Sequence, residues 1–122
     1  MLNIESHEDG GSHTLMLRGE LDMASAPELE GRVQQLCSQG AGELVLDLAG
    51  LEFIDSAGLS AILRVRALCQ EQMWEFCMTP GERPVQRLFE VTRLIDRLPF
   101  RRPRKRGEGS RPVPSADGDS ER

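Results

Sequence analysis

The apolar positions fall into short runs of two kinds, separated by glycine, proline and acidic residues. Thr14-Leu15-Met16-Leu17-Arg18 reads as a strand, with a weaker one over Leu2 to Ser6 before it and a tight turn at Gly10-Gly11 between them. Gly19 to Ala24 reads as a connection carrying the acids Glu20 and Asp22. Ser25-Ala26-Pro27-Glu28 is a helix start. Ser25 stands at the cap, Pro27 lies where its missing N–H is harmless, and Glu28 completes a capping box. Leu29, Val33 and Leu36 then share one helical face until Gly40 and Gly42 end it.

Leu44 to Leu48 is a nearly continuous apolar run, which predicts a central strand covered on both sides. Gly50 to Asp55 follows as a loop with Phe53 and Ile54 tucked beneath it. Ser56 opens a second helix, broadly apolar through Leu59, Ile62, Leu63, Val65, Ala67 and Leu68. Met73 to Met78 reads as another strand, closed by Thr79-Pro80-Gly81. Glu82 to Glu90 reads as a third helix with Val85, Leu88 and Phe89 inward. Val91 to Phe100 fits either a short last strand or a helical turn ending at Pro99. Strands alternating with helices indicate an α/β layer structure. Residues 101–122 lack apolar residues to form a core and read as a disordered, basic, Pro/Gly-rich tail after a domain over residues 1–100.

Composition narrows the function classes. The 122 residues are 39% apolar and 29% charged, which is ordinary for a soluble single domain. No apolar stretch approaches the roughly 20 residues that cross a bilayer. Met1 to Gly11 carries acids and histidines and does not read as a secretory signal. Residues 1–100 hold 8 Arg and 16 Asp or Glu, a net of −8, and residues 101–122 hold 7 basic and 4 acidic residues, a net of +3. Direct DNA binding by so acidic a domain is not expected. The basic run at 101–106 reads as a solvated tail or as a contact for an anionic surface or RNA. Cys37, Cys69 and Cys77 lack the spacing of a zinc knuckle or redox pair, and argue for reduced thiols in a cytoplasmic protein.

Catalytic signatures are absent. There is no P-loop, the only lysine being Lys105, and no Gly-x-Ser-x-Gly elbow. Asp22, Asp47 and Asp55 are the candidate carboxylates for a divalent cation, although loop aspartates are commoner as caps. No cofactor is expected. Phe53-Ile54-Asp55-Ser56-Ala57-Gly58-Leu59 stands apart, because it leaves a strand through a loop and enters a helix. Ser56 falls at or next to the N-cap, and Gly58 has no side chain to block an approach. A helix start tolerates an added phosphate through its unpaired N–H groups and dipole, while neighbouring Asp55 opposes it.

These blocks together resemble the STAS domain family, and within it the bacterial anti-anti-sigma factors, or anti-sigma factor antagonists. The residues that carry the resemblance are Leu17 to Asp22, Ser25 to Leu29, and above all Leu44 to Leu59 with its Asp55-Ser56-Ala57-Gly58-Leu59 motif. The resemblance implies a mixed β-sheet with helices packed against it and a regulatory role instead of an enzymatic one. It implies binding to an anti-sigma factor that is itself a serine kinase, which frees a sigma factor for transcription in stress response or sporulation. It further implies that the kinase phosphorylates Ser56 and so weakens the complex, and that a serine phosphatase reverses the mark. Glu20, Asp22, Ser25, Asp55, Ser56, Ala57, Gly58 and Leu59 are the implied partner-binding residues. A STAS module of a stress-signalling assembly or a transporter-associated regulator is the alternative. Arg93 stands where the family commonly has glycine, and the basic tail replaces its usual last helix.

Overall fold

In the computed structural model, which describes residues 1–40 and 42–101, the order is β-β-α-β-α-β-α. The tail expected over residues 101–122 lies outside the described residues beyond Arg101. The elements are β1 (Leu2–Asp9), β2 (Ser12–Leu21), α1 (Ala26–Cys37), β3 (Glu43–Ile54), α2 (Ser56–Glu71), β4 (Glu75–Thr79) and α3 (Arg83–Val91). The strands form one mixed sheet in sequence order. The β1–β2 pair is antiparallel, and β2–β3 and β3–β4 are parallel. Gly10 and Gly11 both adopt positive φ in the β1–β2 turn, which favours residues without a Cβ.

One alternating face of the sheet builds the core. Leu15, Leu17, Leu44, Leu46, Leu48 and Met78 meet Leu29 and Val33 of α1, Ile62 and Val65 of α2, and Val85 and Phe89 of α3 in a single cluster. The expected cover on both sides of the Leu44–Leu48 run is therefore corrected: all three helices join the same face. Val45, 3% exposed, lies outside that cluster on the other face, between Thr14 and Cys77 in the register. A valine flanked by neighbours on both strands is buried within the sheet without a helix above it.

Both predicted connections beside this run are strand. Gly19 to Leu21 continues β2, and Gly50 to Ile54 continues β3. The parallel ladder shifts register between Met16 and Arg18 and again between Gly19 and Glu20, where β3 takes up extra residues. Asp47 supports the first irregularity, its Oδ1 accepting from the Ala49 N–H at 2.9 Å and the Thr79 hydroxyl at 2.7 Å. The second places Phe53 opposite Glu20 and Ile54 opposite Leu21. Ile54 is buried as expected, but Phe53 is 49% exposed, because a one-residue slip moves a side chain to the other face.

The last strand is shorter than its hydrophobic pattern. Met73 and Trp74 precede β4, with Met73 82% exposed and Trp74 buried. Met73 has φ 64°, its N–H donates to the Gln70 carbonyl, and the Trp74 N–H donates to the Cys69 carbonyl at 2.8 Å. This is a Schellman ending with methionine in the left-handed position that glycine usually fills. α3 ends in the same way. Arg93 has φ 63°, and the Leu94 N–H donates to the Phe89 carbonyl at 2.8 Å. The segment that fitted either a strand or a turn is both: a turn over Leu94–Leu98, then one parallel bridge from Phe100 to Met78.

Cys37 and Cys69 are buried thiols hydrogen-bonded to one another between α1 and α2. Burial, with Cys37 adding to it, pushes the Cys69 thiol up to about 12, so neither forms a reactive thiolate readily. The strained turn after α2 gives a direct check. Met73→Gly removes a left-handed L-residue and loses almost no buried area. It is expected to stabilise the domain by about 0.5–1 kcal/mol, read as an upward shift of the thermal midpoint.

Candidate functional site

Parallel pairing brings two strand ends together. Leu21 at the end of β2 stands beside Ile54 at the end of β3, and the Asp55 N–H donates to the Leu21 carbonyl at 3.3 Å. The chain leaving β2 enters the Asp22–Ala26 turn and α1, and the chain leaving β3 enters α2. The sequence-predicted residues Glu20, Asp22, Ser25, Asp55, Ser56, Ala57, Gly58 and Leu59 all belong to these two exits.

Asp55 caps α2. Its backbone is extended, and its Oδ1 accepts from the Gly58 N–H at 2.8 Å. Ser56 is therefore the first helical residue, not the cap. Its side chain is exposed and makes no hydrogen bond among the described residues. Gly58 is buried, and a Cβ there would overlap the Leu21 carbonyl oxygen and come within 3.0 Å of Ile54 Cγ1. Its missing side chain serves inward packing, seating the first turn of α2 on the end of β2, and does not open a path from outside. Leu59 is buried in the core and Ala57 is half-buried.

Ser25 also departs from its expected role. Its φ and ψ are helical, and no side-chain cap bond forms, so the capping box with Glu28 is not made. The Ser25 hydroxyl lies 2.9 Å from the Glu20 carbonyl and 3.1 Å from Asp22 Oδ1, and it accepts from the Asp22 N–H at 3.0 Å. Asp22 Oδ1 also accepts from the N–H groups of Ala24 and Ser25, each at 3.1 Å. Desolvation works against the Asp22 carboxylate. The hydrogen bonds from Ser25 and Ala24 together outweigh it and hold the carboxyl below its ordinary range. Asp22 thus stays ionised at neutral pH in a fixed turn. Glu20 is exposed and accepts from the Met1 amino group at 2.9 Å.

The surface that results joins an exposed hydroxyl at a helix start, a half-buried capping carboxylate and a second fixed carboxylate on the adjacent exit. Among the described residues no group of three or more His, Cys, Asp or Glu is arranged to hold a metal ion. Asp47, the third candidate carboxylate, is taken up by Thr79 and Ala49. No helix among the described residues is long and apolar enough to cross a membrane. Phe53, which the sequence pattern tucks beneath the loop with Ile54, lies on the outer face instead, turned there by the bulge against β2.

A family model described as Mlab, STAS domain matches residues 4–99. The chain belongs to the STAS domain family. It is 31% identical over 96 residues to an anti-sigma-B factor antagonist of Staphylococcus epidermidis, covering 78% of this chain and 88% of the relative. It is 30% identical over 96 residues to the anti-sigma-B factor antagonist of Staphylococcus aureus, with the same shares covered. An anti-sigma factor antagonist from Mycobacterium paratuberculosis superposes with a TM-score of 0.71 at 24% identity, over 82% of this chain and 85% of that one. The anti-sigma factor antagonist SpoIIAA in its unphosphorylated form gives 0.70 at 15% identity, over 88% and 92%. This STAS protein is a regulatory module of the antagonist type.

Three substitutions separate the roles at the helix start. Gly58→Ala is expected to destabilise the STAS domain by about 2 kcal/mol, because overpacking against backbone outweighs the gain in helix propensity. The check is the urea midpoint. Asp55→Ala is expected to cost about 1 kcal/mol as a lost cap. Ser56→Ala is expected to stay within about 0.5 kcal/mol of the parent, the two compared in the same denaturation series.

Proposed function

We propose that this chain is a cytoplasmic anti-anti-sigma factor whose regulatory surface lies within residues 1–100. With Ser56 unmodified it binds an anti-sigma factor serine kinase and so frees a sigma factor. Phosphorylation of Ser56 by that kinase ends the interaction, and a serine phosphatase restores it. The observation that supports this reading best is the exposed Ser56 hydroxyl, unpartnered at the first position of α2 while Asp55 holds the cap.

The chemistry follows from that placement. The serine is free to enter a kinase active site because the fold does not use its hydroxyl. A phosphate there sits where unpaired N–H groups and the helix dipole favour negative charge, so the domain stays folded. For a partner the change is large. Asp55 already lies beside Ser56, and the phosphate adds nearly two further charges within a contact that excludes water. Like-charge contacts of that kind cost several kcal/mol. Asp22 and Glu20 extend the docking surface, with Ser25 fixing the Asp22 turn from below. Gly58 and Leu59 act through the seating of the helix.

The test combines phosphopeptide mapping with affinity. Incubation with the cognate kinase and ATP is expected to place phosphate on Ser56 alone. Ser56→Ala is expected to bind with near-parental affinity and take no phosphate. Ser56→Asp is expected to bind at least tenfold more weakly, about 1.4 kcal/mol. Asp22→Asn is expected to weaken binding without lowering the melting temperature. Phosphate on another residue, or equal affinity of the phosphorylated and unmodified chains, overturns the assignment.

A further inference from the structure

α3 has two apolar stripes. Val85 and Phe89 face the core with no exposure, whereas Pro84, Leu88 and Val91 recur at helical spacing on another face. That second face, with Arg87, lines a shallow groove of ≈ 290 Å³ whose other wall is Phe53 and Ile54 at the end of β3. Phe53 is 49% exposed and Val91 63%. A second concavity along the same helix shares Pro84 and Arg87 with it and is lined also by Arg83, Glu82 and Glu90. Single exposed apolar residues are ordinary, but an exposed stripe facing an exposed phenylalanine across a cleft has the form of a docking site.

Among the described residues Arg87 is the one charged side chain that lines the groove, and the segment around it differs in charge from the rest of the domain. Residues 82–97 carry Arg83, Arg87, Arg93 and Arg97 against Glu82, Glu90 and Asp96, a net of +1. The remainder of residues 1–100 has 4 arginines and 13 acids, a net of −9. Arg18, Arg64 and Arg101 are paired with Glu5, Glu30 and Glu43. The four arginines of the α3 segment make no ion pair among the described residues, so their charges face solvent. The groove is also continuous with the serine surface, since Phe53 and Ile54 lead directly into Asp55 and Ser56.

We propose that this groove docks an acidic, amphipathic segment of the same protein partner that covers Ser56. An apolar side chain of that segment lies between Phe53 and the Leu88–Val91 stripe, and its carboxylates meet Arg83 and Arg87. The inference rests on the proposed function for the partner's identity. It adds a contact that phosphorylation does not touch, which sets which partner is bound while Ser56 sets whether it is bound. Nucleic acid does not fit, because the surrounding acidic surface repels a phosphate backbone.

The experiment titrates the purified kinase of the Ser56 test into the parent chain, Arg87→Glu, Val91→Asp, Ser56→Asp and, as a control outside the groove, Arg66→Glu. Circular dichroism and melting temperature check each fold; Arg87 and Val91 are exposed, so both variants are expected to fold. Arg87→Glu and Val91→Asp are each expected to weaken binding at least tenfold, and Arg66→Glu to leave it unchanged. Parental affinity is expected to fall with added salt more steeply than that of Arg87→Glu. Loss with Ser56→Asp but not with the groove variants overturns the groove and leaves the serine reading intact. Loss with the groove variants alone supports the groove and overturns the serine switch. No loss with any variant overturns both. Binding of the parent to anionic phospholipid vesicles that Arg87→Glu abolishes, with kinase affinity unchanged, assigns the groove to a membrane surface and overturns a protein occupant.

Discussion

The first turn of α2 lies directly against the carbonyl of Leu21, and only a residue without a Cβ permits it. Gly58 is that residue. The close approach joins the ends of β2 and β3 to the start of a helix. It therefore fixes the direction in which Asp55 and Ser56 leave the sheet and their place beside the Asp22 turn. The Asp55 cap closes the same junction from the other side, through the Gly58 N–H. A shift of the helix by the width of a methyl group would move the serine and its neighbouring carboxylates relative to one another.

The rest of the fold supports this junction. Leu21, Ile54 and Leu59 are buried beside it, and the parallel pairing of β2 with β3 keeps the two exits at the same end of the sheet. Because the three helices pack on one face, the opposite face and the ends of the strands are left for other uses. Ser56 is freed from structural work because Asp55 takes the cap. A side chain placed in this way can be changed with little effect on stability. Asp22 is held differently: three donors fix its carboxylate in the turn.

Much of this was legible in the chain. Alternation and helical spacing located the elements, the Gly10-Gly11 turn, and the inward positions of Leu29, Val33, Val85 and Phe89. The Asp55-to-Leu59 motif pointed to the correct helix start and, with the other blocks, to the family. These features are local: a strand or helix repeats its environment every two or 3.6 residues, so its buried face is written in nearby residues. The free hydroxyl at Ser56 was half legible, since Asp and Ser are both good caps and adjacent residues compete for the position.

What tertiary structure decided are the places where one segment meets another distant in sequence. The outward turn of Phe53 follows from a bulge against β2, and the single-sided cover of the Leu44–Leu48 run follows from where three helices land. Ser25 bonds back to Glu20 and Asp22 in place of Glu28 because β2 extends far enough to bring their groups to it. Met73 and Arg93 adopt left-handed conformations that their own side chains disfavour, and the hydrogen bonds of the helix ends hold them there. Gly58 is the plainest case. The chain shows a glycine near a helix start, but only the approach of the Leu21 carbonyl shows why nothing larger fits, because a steric limit belongs to the pair of segments and not to either alone.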